Sequence, residues 1–250
     1  MNKFISIIVL TFASTVAFAI DCTALVPYGY PVISKPTEST QVLCRRMYVL
    51  EHSPTRKTAY WSAENIFGPN VMIEGKRNDA FKADPDVKSG DRAELEDYYK
   101  SEYDRGHLAP VGNMKVNNQA MVESFYLSNV VPHVPGNNRA IWNALEGYAR
   151  EIAIARSHVY VISGPIYEGP VRTIGTNKVA VPTKLYKIFV DTRSQTVLVF
   201  IIPNVPYYAT DLPRFISTMS EVEKRTGIKF FPELKTKLTE STTLWGKTSN

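Results

Sequence analysis

Asp104-Arg105-Gly106-His107-Leu108-Ala109-Pro110 is the stretch on which the reading of this 250-residue chain turns. It sets an imidazole beside a guanidinium, and Gly106 between them suggests a permissive turn. Imidazole can take a proton from water near neutral pH. Guanidinium offers a planar fork of donors that matches phosphate oxygens. Side by side they suit attack of water on a phosphodiester. One such triplet carries little weight alone, so its surroundings decide.

Downstream, residues 137–156 read as the clearest helix. Ile141, Leu145, Tyr148, Ala149 and Ile152 recur at helical spacing, and Asn137 or Asn138 can cap its start. Asn138, Trp142, Glu146 and Arg150 follow one another every four residues. Each step rotates by about 40° on a regular helix. Asn138 and Glu146 can therefore face one cleft while Ile141, Leu145 and Ile152 face a core. Strands are expected at 45–51, 57–64, 125–131, 158–163, 179–191 and 196–202. Residues 23–40 read as an extended lead-in, and 132–136 as a turn. Residues 68–100 read as a long polar loop with a short helix near 93–100. A second amphipathic helix is expected at 212–226, with Gly227 at its C-cap. Many strands and few helices predict an α+β fold with a mixed, mostly antiparallel sheet. No linker divides it, so residues 20–250 are read as one domain.

Residues 1–19 read as a signal peptide. Lys3 gives the positive start, residues 4–12 are almost wholly apolar, and Ala17-Phe18-Ala19 has the small-x-small pattern of a cleavage site. The alternative is an uncleaved anchor, though the apolar run is short for a membrane span. Export to the periplasm or the cell exterior is the expectation, with no membrane contact after cleavage. In an oxidising destination Cys22 and Cys44, the two cysteines, would pair; two free buried thiols are the other reading.

The composition closes several routes. A chain 44% apolar and 11% aromatic is not disordered, and two cysteines cannot build a disulfide scaffold or a Cys-rich zinc module. The net charge of +5 is a mild pointer to an anionic partner. None of the four histidines pairs at metal-ligand spacing on a helix, and there is no Gly-rich phosphate loop or GxSxG elbow. Zinc hydrolase, nucleotide-dependent and serine-hydrolase readings are disfavoured.

The DRGHLAP stretch resembles the signature of the DNA/RNA non-specific endonucleases, the ββα-metal family. The similarity continues through Tyr126-Leu127-Ser128-Asn129 and, nine residues on, Asn138, with Trp142, Glu146 and Arg150 beyond. Upstream, the segment from Arg77 to Pro85 is similar to the family's Arg-containing segment. Ser163-Gly164-Pro165-Ile166-Tyr167, Pro182-Thr183-Lys184-Leu185-Tyr186-Lys187 and the segment Glu221 to Gly227 extend it, so that it spans roughly residues 44–234. The ordered set is far more specific than any one member.

The resemblance implies a ββα-metal active-site motif and a role for each matching residue. His107 matches the general base, and Arg105 and Arg77 the arginines that hold the scissile phosphate. Asn138 matches the direct protein ligand of Mg²⁺, with Mn²⁺ or another divalent cation able to substitute. Glu146 matches an acid that orients the waters around that ion. Asn129 matches a structural or substrate-supporting amide, and Arg150 a further basic residue near the site. His133 stands where the family commonly has Gln and carries no assigned role. Taken alone, Glu146 and Arg150 could simply pair on a helix surface. The expected activity is that of a secreted, Mg²⁺-dependent endonuclease acting on DNA and RNA with little sequence preference. The rivals are a nucleic-acid-binding or uptake protein on the same scaffold, and a small-molecule metal phosphodiesterase.

Overall fold

The structure, a computed structural model, describes residues 22–74 and 80–246. The expected signal peptide and Arg77 lie outside the described residues. The fold is α+β. Its core is an eight-stranded sheet in which seven strands run in the order Ile216–Ser217, Thr196–Pro203, Lys184–Asp191, His158–Ile166, Thr58–Phe67, Tyr48–Ser53, Gln41–Cys44. These pairings are all antiparallel, and the eighth strand, Thr239–Glu240, lies parallel to Thr196–Pro203.

The middle strands are mostly apolar because both faces of the sheet are covered. Along Lys184–Asp191 the alternation of strand side chains separates two cores. Leu185 and Phe189 join Ile141, Trp142, Leu145 and Ile152 of the helical layer. Tyr186, Ile188 and Val190 join Val222, Ile228 and Phe230 on the opposite face. Lys187 falls on the helical side, fully enclosed between two apolar neighbours.

Several elements depart from the expected ones for local reasons. The strand expected at 125–131 begins as a tight turn of helix, Leu127–Asn129, because Leu127 N–H donates to the Lys82 carbonyl and not to a sheet neighbour. The strand is instead Val130–His133, which takes in two residues expected to turn. The run 179–191 is broken between Val179–Ala180 and Lys184–Asp191, with Pro182 in the gap. The helix expected at 212–226 is split. Pro213 sits in a short helical segment, Ala209–Phe215, Ile216–Ser217 joins the sheet edge, and Thr218 then caps Met219–Thr226 by accepting from Glu221 N–H at 3.1 Å. Gly227 does take the left-handed C-cap conformation, at φ 70°.

Cys22 and Cys44 form a disulfide, with Cα atoms 5.9 Å apart. It ties the start of the described chain to an outer strand on the face away from the long helix, where Cys22 is buried beside Val26 and Trp61. Closing a loop of 22 residues restricts the unfolded chain by about 3 kcal/mol in the chain-entropy model. Replacing both cysteines by Ala should lower unfolding free energy in urea by about that amount, with the cleft chemistry kept.

Candidate active site

The DRGH residues form the strand Asp104–His107, antiparallel to Val130–His133, with Asp104 opposite His133 and His107 opposite Val130. A turn then leads into the helix, which completes a ββα unit. Gly106 sits within the strand and not in the expected turn, and its φ is not left-handed. What requires glycine there is space: a Cβ at 106 would lie 2.1 Å from the His133 ring.

The helix does not start regularly. Residues Asn137–Trp142 form a wide π turn before the α-helix Asn143–Arg156. Neither asparagine caps it. Asn137 instead donates to the carbonyls of Pro203 (2.8 Å) and Val205 (3.1 Å). Nearby, Asn204 donates to Pro132 and Pro182 carbonyls and accepts from Val134 N–H. The end of one sheet strand thus hangs the helix start in place. The wide turn changes the phase of the stripe expected from four-residue spacing. Trp142 goes fully inside, where its indole N–H donates to the His107 carbonyl at 3.1 Å, and Asn143 takes a place on the surface of the cleft.

Arg105, His107, Asn138 and Glu146 line one cleft of about 840 Å³. Asp104, Arg139 and Asn143 share its floor and rim, and Tyr98, Tyr99, Lys100 and Tyr103 form another wall. His107 keeps 8% exposure, its ring packed against Phe81 (5.1 Å) and edge-on to Phe125 (5.3 Å). Arg105 is exposed, with its guanidinium 4.6 Å over the Phe81 ring. Asn138 lies between Asp104, at 3.0 Å from its amide nitrogen, and His133, at 3.1 Å from its amide oxygen. Burial depresses the His133 imidazole to about 4, so the ring is neutral at physiological pH.

Two expected site residues stand apart from this cleft. Asn129 is fully buried, and its amide is occupied by the protein. It accepts from Ala109 N–H (3.0 Å) and donates to the carbonyls of Ala109 (2.8 Å) and Ser124 (3.0 Å). It braces the segment just after His107. Arg150 points towards Asn113, 3.4 Å away, on the helical side of the sheet. The matching surroundings were not legible in the sequence: Glu64, Asn113 and Lys187 sit in strands or turns where apolar neighbours give no warning of charge. Lys187 donates to Ser163 Oγ at 2.6 Å, and the Trp142 ring lies 4.6 Å from its ammonium. Burial pushes the Glu64 carboxyl up to about 7, opposed by Lys187 and by the Asn113 amide 3.0 Å away.

The donors lining the cleft are oxygen-rich: the Asn138 amide and the carboxylates of Glu96, Asp104 and Glu146. Among the described residues, no three His, Cys, Asp or Glu side chains gather into a cluster that could hold a metal. Oxygen donors of this kind suit a hard dication that keeps several waters.

Comparison with known proteins agrees with the geometry. The model of the DNA/RNA non-specific endonuclease family matches residues 30–237, and the chain belongs to that family. The mitochondrial nuclease EXOG of Danio rerio is 38% identical over 205 residues, covering 75% of this chain and 60% of the relative. This chain thus spans about three fifths of that protein's length. Human mitochondrial endonuclease G is 34% identical, covering 84% of this chain and 74% of the relative. Nuclease C1 of Cunninghamella echinulata var. echinulata is 34% identical, covering 80% and 86% respectively. A solved structure of the EndoG/EndoGI complex superposes with a TM-score of 0.80 at 30% identity, covering 88% of this chain and 95% of that one. The expected export is corrected by these matches: EXOG and endonuclease G are mitochondrial proteins, which conflicts with a periplasmic or extracellular destination.

Two tests follow from the buried groups. In Asn129→Ala, an amide N–H and two carbonyls lose their partner inside the protein, at about 1–3 kcal/mol for each group left unsatisfied. Calorimetry should show a large fall in melting temperature. Glu64 binds its proton more tightly folded than unfolded, so stability should fall as pH rises from about 4.5 to about 7. Denaturation across that range should show the slope flattened in Glu64→Gln; an unchanged slope would remove Glu64 as its source.

Proposed function

We propose that this chain is a divalent-metal-dependent endonuclease that hydrolyses phosphodiester bonds of DNA and RNA with little sequence preference. The observation that carries this reading is the shared cleft: His107, Arg105, Asn138 and Glu146 open onto one space, in a chain of the non-specific endonuclease family. His107 is the general base, taking a proton from the attacking water. Its ring is held by Phe81 and Phe125, so it meets the water in a fixed orientation. Arg105 reaches the phosphate from the exposed rim and balances charge as it builds on the oxygens. By its resemblance to the family's Arg-containing segment, Arg77 would share that task.

The Asn138 oxygen would hold Mg²⁺, or Mn²⁺ in its place, without adding negative charge beside the phosphate. When bound, the cation supplies charge neutralisation at the phosphate and eases departure of the 3′-oxygen, which leaves the phosphate on the 5′ end of the product. Glu146 accepts hydrogen bonds from water in the cleft and orients it. Arg150 acts from beneath, as part of the charge balance around Glu146 and Lys187. Binding through phosphates explains affinity without base readout.

A supercoiled plasmid tests this. Wild-type protein should nick and degrade it with Mg²⁺ and stop with EDTA. His107→Ala should lose about 10²–10⁴-fold in rate and still bind. Substrate affinity should fall steeply with salt. Full activity in His107→Ala would overturn the assignment of the base.

A further inference from the structure

His133 lies in the strand opposite Asp104, in the space kept open by Gly106. It is fully buried and stands edge-on to Trp142, with ring centres 5.3 Å apart. The chemistry of its neighbours determines how the Asn138 amide is turned. Asn138 Nδ2 lies 3.0 Å from Asp104 Oδ2. A carboxylate only accepts, so the amide nitrogen is the end that faces Asp104, and the amide oxygen faces His133. That oxygen cannot donate, so His133 Nδ1, 3.1 Å away, carries the proton. Nε2 is then the bare nitrogen, and it has no hydrogen-bond partner among the described residues. Asp104 is itself held by the Arg139 fork, at 2.8 and 2.6 Å. Arg139, Asp104, Asn138 and His133 form a directed chain that grips the amide at both ends.

We propose that His133 is a positioning residue for the metal ligand: its Nδ1–H holds one lone pair of the Asn138 oxygen and leaves the other turned to the cleft for a divalent cation. This rests on the reading of Asn138 as the ligand. Without the donor, the amide is held at its nitrogen end alone, and rotation carries its oxygen away from the cleft. Glutamine at 133 would also offer an N–H to that oxygen; leucine would fill similar space and offer none.

The test uses the full chain, stripped of metal and titrated with Mn²⁺ by electron paramagnetic resonance, with melting temperature measured alongside. His133→Leu should weaken Mn²⁺ binding by about ten- to hundredfold, the usual scale for losing a partner of a metal ligand. His133→Gln should restore binding to near the wild-type level. Wild-type binding in a folded His133→Leu protein overturns the proposal. Asn138→Ala separates the two readings: if it binds Mn²⁺ as wild type does, the ligand assignment itself fails. A second measurement needs no substitution. Long-range ¹H–¹⁵N correlation of the histidine rings in the wild-type protein should find His133 as the Nδ1–H tautomer, and the Nε2–H tautomer would overturn the proposal even if His133→Leu does not fold.

Discussion

The ammonium of Lys187, buried in the middle of the central sheet, is the group around which the active-site layer is arranged. An isolated charge in such a place costs several kcal/mol, so the structure must surround it with compensation. Ser163 Oγ accepts at 2.6 Å from the neighbouring strand, and the Leu108 carbonyl lies 3.5 Å away. The Trp142 face covers it, and Glu64 and Glu146 supply opposite charge. Leu108 follows His107 in sequence, Trp142 ends the wide turn, and Glu146 lines the cleft. One buried cation therefore touches or polarises the base segment, the helix start and the acid together. Its burial also depresses its own affinity for a proton, so the compensation matters for charge as well as for packing.

Above this foundation the site is held by buried side chains whose amides bond to the protein's own backbone. Asn129 fixes the backbone after His107, while Asn137 and Asn204 fasten the helix entrance to the ends of sheet strands. Asparagine suits this because a small amide donates and accepts at once without bringing charge into the interior. Asn129 and Asn204, whose amides both donate and accept, also specify one arrangement, since a shifted helix would leave several of these groups unsatisfied. Arg105, by contrast, is exposed, with its guanidinium over the Phe81 ring.

The sequence made the α+β class legible because apolar runs and helical spacing are local signals. The family resemblance singled out His107, Arg105, Asn138 and Glu146, which the structure brings to one cleft, whereas the four-residue spacing gave no sign of the wide turn that takes Trp142 inside. Asn129 was left between a structural and a substrate-supporting role for the opposite reason: whether an amide faces solvent or a neighbouring backbone depends on strands far away in sequence. Lys187 and Glu64 were hidden among apolar neighbours, and nothing in a strand pattern says that a charge will be enclosed. The break of 212–226 was announced by Pro213, yet the helical period outweighed it. Gly106 was given the commonest reason for glycine, a turn, where the real one is the ring of His133 from the partner strand.

The wide turn at Asn137–Trp142 has a consequence for how this segment tolerates change in length. A wide turn holds one residue more than an α turn, so a deletion within it is absorbed by closing to regular bonding, whereas one residue removed from the α-helix between Asn143 and Glu146 would turn those that follow by about 100°. Glu146 would leave the cleft and core residues such as Leu145 would swing towards solvent. Substitutions at exposed positions there alter one contact, whereas a single-codon deletion rotates an entire functional face. The number of residues between Asn143 and Glu146 is thus under tighter geometric constraint than the number within the wide turn before them.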